Sequence, residues 1–209
     1  MGANAHFFGH PLKQMVAEVE YDGPKEGLAI LPGSRLHEVA RNMDAIVVAL
    51  QGLDIKLKFG VAPNLDPAEL EQKWTELGGA EAEFSHETYA VLKSSWAAIV
   101  CSGTATLEAA LCRCPTVVIY RGSKLMEAEV RIRMPKFDYI SLPNILLGRG
   151  VLPELIMWQA TPERLREELD LILEDGPARR AQLDAFEELD ANLGTGDCFA
   201  QTAELALSL

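Results

Sequence analysis

Short apolar runs alternate with amphipathic stretches along most of this 209-residue chain. The runs at 27–33, 96–101 and 115–120 are almost entirely apolar, which is typical of strands buried on both faces of a sheet. Apolar residues recur at helical spacing over 35–51, and Ser34 is positioned to cap that helix. Strands that alternate with helices form parallel sheets, so we predict an α/β, Rossmann-like fold with helices on both faces of the sheet.

Further elements follow from local patterns. Additional strands are predicted at 55–61 and 81–85, and additional helices at 66–77, 87–94, 105–111 and 123–134. The segment 55–61, IKLKFGV, alternates apolar and polar residues, which predicts a strand with one more exposed face. The segment SLPN at 141–144 is predicted to be a loop, because Pro143 interrupts the periodicity.

The C-terminal part of the chain is predicted to be helical. The helices are expected near 153–158, 161–174 and 177–191. Thr161, Pro162 and Glu163 combine a capping residue, a first-turn proline and an acidic first turn, which marks a helix start. We therefore divide the chain into a Rossmann-like domain, residues 1–160, and a C-terminal helical extension, residues 161–209, that packs on the domain or on a partner.

Composition narrows the class of partner. The net charge is −12, from 19 basic and 31 acidic residues, so the surface repels nucleic acid and anionic headgroups, and no nucleic-acid partner is expected. No apolar run is long enough to span a membrane, and the first residues lack the features of a signal peptide. We expect a cytoplasmic protein whose four cysteines are reduced and structural, and whose four histidines show no metal spacing.

A polar turn follows the first strand. Gly33 allows a tight turn and close approach of the backbone, and the helix start that follows offers N–H groups and a positive dipole end to an anion. Arg35 adds a guanidinium fork that fits phosphate oxygens. The alternative is a capped helix with an exposed arginine.

A second polar turn, SGTATLE at 102–108, follows the strand 96–101. Backbone donors around Ser102, Gly103, Thr104 and Ala105 can hold a diphosphate at the next helix start. Glu108 lies one turn into that helix, and an ionised carboxylate accepts hydrogen bonds only, so it suits a ribose diol. The alternative is an ordinary helix cap with a glutamate that favours the dipole.

Two more polar positions are candidates. The amide of Asn144 in SLPN can donate and accept, as recognition of a base or phosphate requires, although a turn or cap asparagine is equally consistent. Arg121 directly follows the strand 115–120 and is either a ligand contact or a surface charge. No Walker loop and no serine, histidine and acid set is visible, so neither ATP hydrolysis nor acyl transfer is indicated.

Together these segments resemble lipid-A-disaccharide synthases. The segments are FFGHPL (7–12), LAILPGSRLHEV (28–39), VCSGTATLEAAL (100–111), CPTVVIYR (114–121), DYISLPNILLGRGVLPELI (138–156) and ATPERL (160–165). They cover nearly the whole chain, in the order of the family and at compatible spacings. The combination of SGTATLE, PTVVIYR and SLPN is specific.

The resemblance implies a GT-B glycosyltransferase with two Rossmann-like domains, of which this chain is the C-terminal one. Such an enzyme transfers 2,3-diacylglucosamine from its uridine diphosphate (UDP) derivative to 2,3-diacylglucosamine 1-phosphate in lipid A biosynthesis, with release of UDP and without cofactor or metal. The residues that the resemblance assigns to UDP are Gly33, Ser34, Arg35, Ser102, Gly103, Thr104, Ala105, Glu108 and Asn144. Arg121 and Ser141 are further candidates.

The resemblance also bears on the rest of the enzyme. FFGHPL lies near the middle of full-length synthases and begins here at residue 7, which implies that the N-terminal domain is absent. That domain would hold the acceptor site and the catalytic acid, so no catalytic residue is assigned here and the chain alone is expected to be inactive. Family likeness further implies peripheral contact with the inner membrane and a homodimer that exchanges C-terminal segments.

Two other functions remain open from the residues. The chain can be a non-catalytic UDP-sugar-binding remnant or a dimerisation module. It can also belong to a different GT-B enzyme, such as a UDP-N-acetylglucosamine epimerase or a muramyl-lipid transferase, because these also use a glycine-containing loop and a glutamate for the ribose.

Overall fold

The computed structural model describes residues 5–133, 138–194 and 197–208. The strands in these ranges are β1 (Leu28–Leu31), β2 (Leu57–Gly60), β3 (Ala82–Ser85), β4 (Ala97–Cys101), β5 (Thr116–Tyr120) and β6 (Glu154–Ile156). The helices there are α1 (Pro11–Ala17), α2 (Leu36–Ala49), α3 (Pro67–Glu76), α4 (Thr88–Ser94), α5 (Thr104–Leu111), α6 (Lys124–Arg133), α7 (Leu142–Leu147), α8 (Pro162–Leu173), α9 (Pro177–Asn192) and α10 (Cys198–Ser208).

The described strands form one parallel sheet in the order β3-β2-β1-β4-β5-β6. Alternate residues of β1 enter different cores because successive side chains point to opposite faces of a strand. Leu28 and Ile30 pack with α2, α3 and α8, whereas Ala29 and Leu31 pack with α1, α4 and α5. The predicted Rossmann-like parallel sheet with helices on both faces is therefore confirmed.

The helix α8 joins the main core of the domain. The Thr161 hydroxyl accepts a hydrogen bond from the Arg164 N–H at 3.3 Å and caps the helix as predicted. Leu165, Leu169 and Ile172 are buried in the same core as β1 and β4. The C-terminal segment thus covers part of one face of the sheet rather than standing apart from it.

Three predictions of local structure are wrong. SLPN is not a loop but begins α7, because Pro143 occupies the first helical turn, where its missing N–H breaks no intrahelical bond. The helix predicted at 153–158 is instead β6, which pairs with β5, followed by a 3₁₀ turn at Met157–Gln159. Ser34 does not cap α2, since the capping position is Arg35 and no side chain bonds there.

The prediction of an exposed face on β2 is also wrong. Lys58 is only 6% exposed, because its stem lies within the sheet and its ammonium group reaches the end of α4. Its Nζ donates to the carbonyl and the hydroxyl of Ser94 at 3.1 and 3.2 Å. Burial lowers the pKa of this ammonium group. A polar residue in an alternating pattern has therefore been satisfied internally rather than by water.

All four cysteines are free thiols and are buried, as the structural interpretation predicts. Burial raises the pKa of Cys112 and Cys114 to about 12 and that of Cys101 to about 11, so none of these three is a reactive thiolate near neutral pH. Among the described helices, none is both long and apolar enough to cross a bilayer.

Candidate functional site

The two polar turns predicted from the sequence meet at one cavity. They follow β1 and β4, which are neighbours in the sheet, so both turns lie at the same carboxyl edge. The cavity has a volume of about 340 Å³, and its walls include Gly33, Ser34, Arg35, Ser102, Gly103, Thr104, Ala105 and Glu108. All residues assigned to UDP except Asn144 therefore line a single space. The cavity is also lined by Gly60 at the end of β2, by Ala62 and Pro63 just after that strand, and by Thr88 at the start of α4.

The turn after β1 requires glycine at position 33. Gly33 has φ 131°, a backbone conformation that residues with a Cβ rarely adopt. A Cβ on Gly33 would also lie 3.2 Å from the Cβ of Glu38 and 3.4 Å from the Sγ of Cys101. The backbone can thus pass close to the cavity, and the first N–H groups of α2, which have no intrahelical partner, are presented at its edge.

Arg35 is held at the cavity by a partner that sequence reasoning missed. Its Nη1 donates to the Oε1 of Glu38 at 2.8 Å, and this hydrogen bond raises the pKa of the guanidinium group. The Glu38 side chain is only 9% exposed, whereas the Arg35 side chain is 69% exposed. The anchored carboxylate orients the guanidinium and leaves its other donors accessible. The spacing of three residues across the start of α2 is the signal that could have identified the pair.

The turn after β4 requires glycine at position 103. Gly103 has φ 151° and ψ −161° and occupies the capping position of α5 without a side-chain cap. The N–H groups at the start of α5 are therefore available to a ligand at the positive end of the helix dipole. Ser102 secures the turn, since its Oγ donates to the Ile140 carbonyl at 3.2 Å.

Glu108 lies half-buried in the cavity wall. Burial raises the pKa of its carboxyl, and the carboxylate makes no hydrogen bond with any other residue in the described ranges. A desolvated acceptor without a protein partner is suited to a ligand hydroxyl. Within the described ranges, no group of three or more histidine, cysteine, aspartate or glutamate residues is arranged to hold a metal ion.

The structure does not bring Asn144 and Ser141 into this cavity. The Asn144 amide donates to the Leu152 carbonyl at 2.9 Å and to the Oε1 of Glu154 at 2.8 Å, and its oxygen accepts from the N–H groups of Val151 and Leu152. Ser141 is fully buried and donates to the same Glu154 oxygen at 2.5 Å. In this arrangement both side chains form hydrogen bonds inside the protein and do not lie on a surface that a ligand can reach.

Arg121 also turns away from the cavity. Its Nη1 donates to the Arg41 carbonyl at 2.8 Å, and its backbone N–H donates to the Oδ1 of Asn42 at 3.1 Å. Asn42 is fully buried, and its Nδ2 donates to the Pro32 carbonyl at 2.8 Å. Asn42 thus ties the carboxyl ends of β1 and β5 together. It lies between apolar positions of α2, so the sequence carries no signal for this role.

Comparison with known sequences gives one consistent family. The sequence model of the LpxB, lipid-A-disaccharide synthetase, family matches residues 1–206. The lipid-A-disaccharide synthase of Anaeromyxobacter dehalogenans is 36% identical, over 100% of this chain and 58% of that protein. The synthase of Pseudomonas aeruginosa is 36% identical with the same coverages, 100% and 58%. The chain therefore spans less than two thirds of the length of these relatives.

Solved structures support the fold. The calicheamicin glycosyltransferase CalG4 superposes with a TM-score of 0.56 at 18% identity, covering 90% of this chain and 42% of that one. The MurG structure from Acinetobacter baumannii superposes with a TM-score of 0.53 at 12% identity, covering 94% of this chain and 53% of that one. At these identities the likeness concerns the fold, that of one half of a GT-B glycosyltransferase.

Proposed function

Because the chain belongs to the lipid-A-disaccharide synthetase family, we propose that it is the UDP-binding half of a hexosyltransferase. The reaction moves 2,3-diacylglucosamine from its UDP derivative to 2,3-diacylglucosamine 1-phosphate and releases UDP. The acceptor site and the acidic catalytic residue, which acts as the base toward the acceptor hydroxyl, belong, in this proposal, to the part of the enzyme that the chain does not cover. The family match favours this function over an epimerase.

One observation carries the proposal. Two helix starts, those of α2 and α5, border one cavity together with the guanidinium of Arg35. Backbone N–H groups at helix starts bind phosphate, and an arginine fork adds charge-assisted bonds. The diphosphate of UDP fits between the two turns. The Glu108 carboxylate is then the acceptor for the ribose hydroxyls, and Ala62 and Pro63 offer apolar surface to the uracil ring.

The same groups have a role in the reaction. When the bond between the sugar carbon and the β-phosphate oxygen breaks, the electron pair stays with that oxygen and its negative charge increases. Donors that are already oriented toward this oxygen stabilise the transition state more than the ground state. The helix starts and Arg35 thus assist departure of UDP, whereas activation of the acceptor hydroxyl requires a base from elsewhere. The proposed reaction uses no cofactor and no metal.

Calorimetric titration of the whole chain with UDP tests the binding step. Arg35→Ala should weaken UDP binding about tenfold, because a charge-assisted bond to phosphate is lost. Arg180→Ala is the matched control, since Arg180 is also exposed and paired with a carboxylate, that of Asp175, but does not line the cavity. No binding heat at millimolar UDP would contradict the proposal, as would equal weakening by both variants.

A complementation assay tests the transfer step. The chain is mixed with the N-terminal part of the Pseudomonas aeruginosa relative, and disaccharide formation is followed. Turnover that appears only in the mixture supports the enzyme-half proposal. UDP binding without turnover would favour the non-catalytic binding module instead.

Lipid substrates also bear on location and assembly. We infer peripheral contact with the cytoplasmic face of the inner membrane, since both proposed sugar substrates carry acyl chains.

We also infer a homodimer that exchanges C-terminal segments. The exposed Phe199 and Leu207 side chains of α10 support it, because they offer apolar surface to a second copy. Exchange would transfer the contact that α10 makes with α1, through Cys198 and Gln14, to the α1 of that copy. The solution mass of the chain tests the dimer, and a monomeric mass would overturn it.

A further inference from the structure

A second cavity adjoins the first at the carboxyl ends of β5 and β6. Its volume is about 600 Å³. The apolar and aromatic side chains that line it are Tyr120, Val130, Ile140, Ile156, Met157 and Trp158. Ser102 lines both cavities, and its hydroxyl donates to the carbonyl of Ile140 in the second. The turn that is proposed to hold the diphosphate is therefore also the boundary between the two spaces.

We propose that this second cavity receives a fatty-acyl chain of the UDP-linked diacylglucosamine. The inference rests on the proposed function, because it takes the acylated sugar nucleotide as the ligand of the first cavity. The sugar is attached to the β-phosphate, so a diphosphate held near Ser102 places the sugar beside the shared wall. The described lining residues of the second cavity carry no charge, which suits a hydrocarbon chain and disfavours a second phosphate.

The wall of the cavity is held in an unusual backbone conformation. Met157 has φ 54°, in the left-handed region that non-glycine residues rarely adopt. Gly122 packs against this residue so closely that a Cβ would lie 2.7 Å from the Met157 Sδ and 3.0 Å from the Met126 Sδ. The Tyr120 hydroxyl donates to the Met126 sulfur at 3.9 Å. Flexible thioether groups of this kind adapt to a chain of variable shape.

The buried network around Glu154 positions the same wall. Its carboxylate accepts from the N–H groups of Ile140 and Ser141 at 3.0 and 2.9 Å and from the Asn144 amide at 2.8 Å. Glu154 begins β6, two residues before Ile156. The network therefore fixes the distance between Ile140 and Ile156, which face the cavity. The SLPN segment thus supports the acyl cavity rather than the nucleotide.

The proposal predicts that the protein's affinity for the acylated UDP-sugar depends on the length of the acyl chain. Each methylene that becomes buried contributes ~0.8 kcal/mol, so affinity should rise up to about fourfold per methylene until the cavity is filled. The whole chain is titrated by calorimetry with UDP, with UDP-N-acetylglucosamine and with UDP-diacylglucosamine analogues of stepwise increasing acyl length, kept below the concentrations at which they form micelles.

Three variants locate the effect. Ile156→Asp and Val130→Asp each place a carboxylate in the cavity wall and should abolish the dependence on chain length while UDP binds as before. Leu171→Asp is the matched control, because Leu171 is an exposed apolar residue of α8 outside the cavity, and this variant should keep the dependence. Circular dichroism checks that each variant is folded, and two independent wall positions protect the test from the failure of one.

Each outcome decides a different point. UDP binding with no gain for acylated analogues overturns the acyl cavity and leaves the proposed function intact. If the gain in affinity with acyl length persists in both wall variants, the acyl cavity is also overturned. The acyl group then binds elsewhere, as on a second copy of the protein. Absence of binding by UDP and by all analogues overturns the proposed function and the acyl cavity together.

Discussion

Replacement of Asn144 by alanine removes all four hydrogen bonds of a buried amide at once. The lost partners are the Leu152 carbonyl at 2.9 Å, the Glu154 carboxylate at 2.8 Å, and the N–H groups of Val151 and Leu152 at 2.7 and 2.8 Å. Asn144 is 1% exposed, so alanine leaves these groups without a substitute. A buried polar group without a partner costs about 1–3 kcal/mol. Water can reach the partly exposed Val151, so we expect a total loss of about 3–5 kcal/mol.

Urea unfolding followed by circular dichroism measures this loss. The control is Asn192→Ala, at the exposed last residue of α9, which should change the free energy of unfolding by less than about 0.5 kcal/mol. UDP should bind folded Asn144→Ala as tightly as the unaltered chain. Unaltered stability combined with about tenfold weaker UDP binding would refute the scaffold role and indicate direct contact with the ligand.

Two further predictions concern the cavity between the turns at 33–35 and 102–108. Burial raises the pKa of the Glu108 carboxyl, so its ionised form destabilises the folded chain at neutral pH, and Glu108→Gln should raise the free energy of unfolding at pH 7. The gain should vanish well below the ordinary pKa of a glutamate carboxyl, about 4.3, because the carboxyl is then protonated in both the folded and the unfolded chain. At pH 7 the UDP affinity should fall about tenfold. Urea unfolding at pH 7 and at about pH 3, with calorimetry for UDP, tests this, and equal stability of the two proteins at pH 7 would contradict it. Gly103→Ala should destabilise the chain by about 1–3 kcal/mol because φ is 151°. Gly176→Ala, with φ −113° and equal space for a Cβ, should change stability by less than about 1 kcal/mol; similar thermal midpoints for both variants would show that the Gly103 backbone is not strained.

Several features follow from the sequence alone because their causes are local. Nearly all side chains of β1, β4 and β5 are apolar, so neither face of these strands can be exposed to water. Strands buried on both faces predict a parallel sheet covered by helices. Parallel strands end at one edge of the sheet, so the turns at 33–35 and 102–108 had to share that edge once their strands were recognised. The composition of the turns then predicts an anion site, and the structure does place these residues around one cavity.

Other features were decided only by tertiary contacts. A strand as short as β6 exists because it pairs with β5, a partner that lies far away in the sequence. Its Glu154 then meets Ser141 and Asn144 and takes up the hydrogen-bonding groups that seemed available to a ligand. The internal bonds of Lys58 to Ser94 arise in the same way. A sequence pattern reports whether a residue is polar, but whether its polar atoms serve the protein or a ligand depends on which groups the fold places opposite them.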